Sequence, residues 1–246
     1  LCIGGCDVVD LAKEFGTPLY FFDESTLRHK CREFKTEFSK HYPDTLVIYA
    51  SKAFLNRALA LILQQEGIGL DVVSGGELSI AHSVNFPLDK VYFHGNNKTS
   101  EELKLALDWS IGRVVVDNFY ELKVLNELAK EKRVSQNILL RLTPGVDPHT
   151  HQYTTTGTLD SKFGFPLTTG QAEEAVKQAT LAANLNLLGL HFHLGSPVPE
   201  TEPYEVAMEL ILRFAQEMER KLGFRLREFS IGGGFAVQYT LDSKIH

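Results

Sequence analysis

Cysteine is scarce in this sequence, and long apolar runs are missing. Only Cys2, Cys6 and Cys31 occur among 246 residues, all within the first 31. That odd, crowded set excludes a disulfide framework and suits a reduced setting. Cys2 and Cys6 have no second ligand pair at suitable spacing, which excludes a structural zinc clasp, so they are expected to be packing or surface thiols. The longest apolar stretches, such as LLGL at 187–190 and VVV at 114–116, are far shorter than a membrane span. The first residues show no charged segment leading into an apolar signal stretch. A soluble, cytoplasmic protein with no membrane partner is the expectation. A basic stripe is lacking too: the net charge is −6 and the signs are interspersed, so nucleic acid is not an expected partner.

With 43% hydrophobic residues, the chain can bury one large core. Short β-branched or aromatic runs recur at Leu46–Ala50, Leu70–Val73, Val91–Gly95, Val114–Asp117, Ile138–Leu142, Leu187–Leu194 and Phe229–Gly232. Between them, Asn56–Glu66, Ser100–Asp108, Tyr120–Glu131 and Gln171–Ala183 place apolar residues at helical spacing. Strand and helix in alternation imply parallel βαβ units. A cadence of roughly twenty-odd residues per unit fits a β/α barrel, with a doubly wound sheet as runner-up. A closed barrel needs about eight strands. Seven are counted and His246 lies fourteen residues beyond the last, Gly232, so the barrel is expected to be truncated before its eighth strand.

Two regions break the cadence. Residues 1–24, with a helix around Asp7–Phe15 and a strand-like PLYFFD at Pro18–Asp23, are expected to belong to another domain, leaving 25–246 as the barrel. A second helix is expected from Ser25 to His41. The polar stretch Thr143–Pro166 is long, and loops of that length inside a domain are usually functional.

Chemistry collects at strand ends, where barrel enzymes build their sites: Lys52, Asp71, Asn96, Arg141, His193, Ser196 and Gly232–Gly234. Lys52 stands between small residues in YASKA, a setting that would let its amine lie in a confined pocket, lose its proton and act as a nucleophile. A solvated surface lysine is the plainer alternative. The run Gly232-Gly233-Gly234 frees backbone amides to converge on an anion, and otherwise makes a tight turn. Its spacing matches neither a dinucleotide fingerprint nor a nucleotide P-loop. Gly195 and Ser196 could add an amide and a hydroxyl. His191 and His193 alternate with Phe192 and so share one face of a strand. A cofactor-facing ring, a hydrogen-bonded core histidine and a metal pair all remain open, while His149 and His151 are read as a solvated loop pair. Asp71 and Glu77 bracket VVSGG and Arg141 ends a strand, so these charges need partners at the mouth or on a salt-bridged rim.

Taken in order, YASKA (49–53), GLDVVSGGE (69–77), PGVDPHTHQYTTTG (144–157), DSKFG (160–164), GLHFHLGS (189–196) and IGGG (231–234) resemble the diaminopimelate decarboxylases, along essentially the whole chain. The lysine, HxGS and GGG elements are shared with ornithine and arginine decarboxylases, whereas HTHxYxxTG and DSKFG are more specific to the diaminopimelate branch. The resemblance implies an alanine racemase-like barrel binding pyridoxal 5'-phosphate. It also implies decarboxylation of meso-diaminopimelate to L-lysine and carbon dioxide, and a homodimer in the full-length enzyme. Lys52 would hold the cofactor covalently and His193 would stack on its ring. Ser196, Gly232, Gly233 and Gly234 would surround its phosphate, with Asp71, Glu77 and Arg141 nearby. No metal is implied. The chain departs from that pattern by lacking an EPGR-like motif and a CES-like motif, and by carrying Pro197 where many relatives have glutamine. The departures imply that this chain alone is inactive. They also leave room for a decarboxylase of D-ornithine, D-lysine or a carrier-linked amino acid, or for a non-catalytic cofactor-binding remnant.

Overall fold

The computed structural model describes residues 1–146 and 162–238. The His149/His151 pair, most of the 144–157 motif, and Asp160 and Ser161 lie outside the described residues. The chain opens with a small antiparallel hairpin, β1 (Cys2–Ile3) and β2 (Cys6–Asp7), followed by helices α1 (Val8–Phe15) and α2 (Glu24–His41). Strand and helix then alternate: β3 (Ile48–Ala50), α3 (Arg57–Gln65), β4 (Gly69–Val72), α4 (Gly75–Ser83), β5 (Val91–Phe93), α5 (Ser100–Asp108), β6 (Arg113–Val116) and α6 (Phe119–Lys132). They continue through β7 (Gln136–Thr143), β8 (Phe165–Pro166), α7 (Gln171–Leu181), β9 (Leu185–His191), α8 (Glu202–Leu222) and β10 (Glu228–Ser230).

The main sheet runs β10-β9-β7-β6-β5-β4-β3, every pair parallel, with β8 branching from β7. Its seven main strands are those expected from the apolar runs. Because the order never reverses, there is no switch point of the doubly wound kind. The sheet is the wall of a β/α barrel, open between its edges β3 and β10. PLYFFD, expected to be strand-like, forms no strand: it finds no neighbour to complete a ladder, and Phe22 instead stacks on Phe54 at 4.8 Å. Two helices, α4 and α8, fill intervals where no helical pattern was singled out.

Alternation along each strand separates two faces. Leu70, Val72, Val91, Phe93, Val114, Val116, Ile138, Leu140, Leu190 and Phe192 point outward and are buried beneath the helices. Tyr92, Val115, Leu139 and Leu188, with Ile48, form a separate cluster inside the barrel. At its N-terminal end, Arg113 Nε donates to both carboxylate oxygens of Glu228, at 2.9 and 3.0 Å, and Tyr92 donates to Glu228 at 3.2 Å, closing the floor from β6 to β10.

Helix α2 is fastened to the barrel through Glu66, at the end of α3. Arg28, Arg32 and Lys35 share one face of α2. The guanidiniums of Arg28 and Arg32 donate to the Glu66 carboxylate at 2.7–2.9 Å, and Lys35 donates to its carbonyl at 2.6 Å. Arg32 first and Arg28 second hold the Glu66 pKa down to about 2, well below the unfolded value of about 4.3. A depressed acid contributes stability in full above its unfolded pKa and loses it as pH falls through the folded one. Glu66→Gln is therefore expected to destabilise the protein at neutral pH and to flatten the loss of stability between roughly pH 5 and 2. Urea midpoints of the two proteins across that range check it. Parallel curves would show that the cluster carries no such linkage.

Candidate active site

The inner face turns polar at the C-terminal ends of the strands. The alternation that points Tyr92, Val115 and Leu139 inward brings His94, Asp117 and Arg141 to the same face two residues later. Asp71 and His191 join them from β4 and β9, and His193 follows β9 by two residues. The His94 Nε2 atom lies 3.8 Å from Asp71 Oδ2, and its ring meets His191 edge-on at 4.6 Å. His191 Nδ1 is hydrogen-bonded to Ser230 Oγ at 2.8 Å. Arg141 lies 3.7 Å from Asp117 Oδ1, and its guanidinium covers the Phe163 ring at 4.2 Å.

Burial and like charge decide the protonation states here. Burial pushes Asp71 up to about 7, with Glu77 adding repulsion, while the charges of Lys52, Arg141 and Lys98 pull it back. The imidazoles of His94 and His191 are driven far down by burial and by the cations around them, so both are neutral at physiological pH. His193 is lowered to about 4 by burial, then by Arg141 and Lys52. Among the described residues, Oδ1 of Asp71 and Oδ1 of Asp117 are buried without a hydrogen-bond partner, a costly state unless a further group completes them.

Lys52 sits on the short turn Ser51–Ala53 that ends β3, near enough for its charge to act on Asp71, His94 and His193. The expectation of a confined pocket is corrected: Ser51 is buried but Lys52 is exposed, because the turn sits at the open edge of the sheet. Glu77 faces back onto its own turn, where its Oε2 accepts the Val73 N–H at 2.8 Å.

The triple glycine follows β10. Gly232 and Gly234 have φ of +73° and +96°, and a Cβ on them would stand 2.5 Å from the Phe192 carbonyl oxygen and 1.9 Å from that of Gly195, so only glycine fits. A Cβ on Gly233 would meet nothing within 4 Å. Among the described residues, no backbone carbonyl takes the N–H of Gly232, Gly233 or Gly234. The loop bearing Ser196 is joined to this one where Val198 N–H donates to the Gly234 carbonyl at 2.7 Å. Glycine loop, Ser196, His193, Arg141, Asp71 and Lys52 thus come to one end of the sheet. Asn96 donates to the Lys162 carbonyl, beside Phe163.

Sequence reasoning missed His94, Asp117, and the buried pair Lys98–Glu121. His94 could have been found by extending the β5 alternation two residues past Tyr92. Lys98 carried no such signal. Among the described residues, no group of three or more His, Cys, Asp or Glu side chains is arranged to hold a metal ion.

A barrel mouth with a lysine at one strand end and a glycine loop at another defines a class. The chain belongs to the pyridoxal-dependent decarboxylases, whose pyridoxal binding domain matches residues 24–246. Among curated relatives, the diaminopimelate decarboxylase of Bacillus subtilis is 45% identical over 242 residues, 98% of this chain and 55% of that protein. The crystal structure of the diaminopimelate decarboxylase from M. jannaschii superimposes with a TM-score of 0.89 at 34% identity, covering 98% of this chain and 56% of that one. The Helicobacter pylori diaminopimelate decarboxylase, solved with L-lysine, gives 0.83 at 29% identity, covering 98% of this chain and 60% of that one. The chain therefore spans about half the length of the relatives it matches. The site fits the family's cofactor, pyridoxal phosphate: amides without a backbone acceptor, in a loop that excludes side chains at Gly232 and Gly234, suit a phosphate, and two buried carboxylate oxygens at the same mouth lack a partner among the described residues.

One consequence concerns pH. Asp71 has a folded pKa of about 7, raised above an unfolded value of about 3.9. For an acid raised on folding, stability falls as pH rises between the two values. Asp71→Asn removes that penalty. The cofactor-free variant is expected to gain thermal stability relative to the parent on going from pH 5 to pH 8, as read by melting temperatures. An unchanged difference between the two proteins across that range would contradict it.

Proposed function

We propose that the whole protein is a diaminopimelate decarboxylase, releasing carbon dioxide from meso-2,6-diaminopimelate to give L-lysine. The observation that carries this reading is the convergence of Lys52, Asp71, His193 and the glycine loop at one barrel mouth. The names of the relatives support the substrate.

Pyridoxal phosphate, when bound, supplies the electron sink for decarboxylation. Lys52 would give the amine that holds it covalently and, when free, a proton carrier at the same place. The neutral His193 ring would face the cofactor without adding charge. Ser196, Gly232, Gly233 and Gly234 hold the phosphate. Asp71 and Arg141 would set the charge around the ring, and Glu77, held on the Val73 N–H of the adjacent turn, would add negative charge beside Asp71.

Residues 1–24 join the domain formed by the rest of the protein. No residue before Ser51 is buried, and Val9, Phe15, Tyr20 and Phe22 are exposed, which supports a further covering layer. The same remainder closes the seam between β3 and β10, and the active protein is a homodimer. The free thiols of Cys2, Cys6 and Cys31 accord with a cytoplasmic location, and no described helix is long and apolar enough to cross a membrane.

The test is carbon dioxide release by the whole protein from meso-diaminopimelate, set against D-ornithine, D-lysine and a carrier-linked amino acid. Preference for diaminopimelate is expected. Release from a rival with none from diaminopimelate overturns the substrate, and release from none overturns the activity.

A further inference from the structure

Tyr204 lies in the first turn of α8 and is 5% exposed, yet its hydroxyl reaches out of the helix layer to donate to the Gly233 carbonyl at 2.9 Å. Its ring packs against that of Phe235, the residue after the triple glycine, at 5.2 Å. Phe235 is held on its other side by Phe34 and Phe38 of α2, each at 6.2 Å. The Gly234 carbonyl is taken by Val198 N–H at 2.7 Å, and Ala236 N–H returns a bond to Val198 at 3.2 Å. Two successive carbonyls of the loop are thus tied down on the protein side. In a trans peptide the N–H points opposite to the C=O. Fixing the Gly233 carbonyl toward Tyr204 therefore turns the Gly234 N–H away from the helix layer.

We propose that Tyr204 is a positioning residue for the anion cradle, its hydroxyl orienting the Gly233–Gly234 peptide so that the Gly234 N–H is presented to the phosphate of the cofactor. This rests on the reading of the triple glycine as the phosphate loop. The Gly233–Gly234 peptide is flanked by two residues without side chains, Gly234 at φ +96°, so it rotates easily and an external anchor is what selects one orientation. Burial raises the Tyr204 hydroxyl above its ordinary pKa, which keeps it a donor. The ring stack gives the hydroxyl a fixed origin.

The experiment uses Tyr204→Phe in the whole protein, which keeps the ring and removes the donor. Dissociation constants of pyridoxal phosphate and of pyridoxal, which lacks the phosphate, are measured by absorbance titration of the cofactor-free enzyme. The variant is expected to bind pyridoxal phosphate about tenfold more weakly, the scale of one charge-assisted hydrogen bond, with pyridoxal unchanged. Equal weakening of both ligands marks a merely structural residue and overturns the proposal, as does a variant that keeps the full preference for the phosphate. A parent protein that binds both ligands equally overturns the phosphate-loop reading itself. Should Tyr204→Phe fail to fold, Phe235→Leu, which loosens the stack around the same hydroxyl, is titrated instead. A selective loss for the phosphorylated ligand is again expected, and an equal loss for both overturns the proposal.

Discussion

Lys52→Ala, made in the whole protein, is expected to abolish the visible absorbance band that pyridoxal phosphate gives when covalently attached, and to lower carbon dioxide release by on the order of a thousandfold or more. Two separate losses underlie the size of the effect. The first is the attachment point: the charge of Lys52, like that of Arg141, is felt by Asp71, His94 and His193, so its amine belongs to the mouth where those groups meet. The second is proton transfer, because a free amine held at the same strand end would be able to carry a proton there. An exposed lysine on a short turn contributes little to folding, so the variant should melt near the parent. That separates loss of chemistry from loss of fold. A borohydride-reducible adduct retained in the variant would reject Lys52 as the attachment residue. A lost adduct with unchanged turnover would reject its part in the reaction.

The strand order was legible because each inward or outward run is short, β-branched and bounded by a helix of standard length, so the sequence pattern and the parallel ladder agree. The two-residue strands β1, β2 and β8 carried no signal: Phe165–Pro166 gains its pairing only from the end of β7, a tertiary fact. Helix α4 begins on Gly75 and Gly76 and buries only Leu78 and Ala81, too little for a periodic pattern. Helix α8, by contrast, buries Ala207, Ile211, Ala215 and Met218 at spacings that were there to be read. PLYFFD misled because strand-like residues need a partner strand. At the site, Lys52, Asp71, Arg141 and His193 were visible as polar residues at strand ends. The exposure of Lys52 was not, since it follows from the open seam beside β3. The turning of Glu77 onto Val73 was equally hidden, because a carboxylate in the first turn of a helix can cap the chain or face a ligand with the same residue spacing.

Lys98→Met is the substitution with the largest expected effect on stability, a loss of about 3–5 kcal/mol, because it strands a buried carboxylate. The Lys98 side chain is 1% exposed and that of Glu121 is 3%. The Lys98 ammonium donates to the carbonyls of Gly95 and Val115, each at 2.8 Å, and to Glu121 Oε1 at 2.7 Å, satisfying all three of its protons. One side chain thereby joins the loop after β5, the end of β6 and the first turn of α6. Burial pushes Glu121 upward and Lys98 pulls it down, so without the lysine its pKa must rise further. The acid is then raised on folding, and the damage should deepen as pH increases above the unfolded value of about 4.3 and lessen below it. A second substitution separates the ion pair from simple loss of packing. Lys98→Met combined with Glu121→Leu removes both charges and should recover much of the loss, since a buried pair replaced by apolar groups is often near neutral. Denaturant unfolding at several pH values, with the slope m held constant, reads all three proteins. Glu121 also accepts the Asp117 N–H through Oε2 at 3.3 Å, and Asp117 faces Arg141 at the mouth. The single variant should therefore weaken cofactor retention as well as stability. A Lys98→Met protein as stable as its parent at pH 8 would show that Glu121 accepts a proton or water without cost, and that the pair does not hold this end of the barrel together.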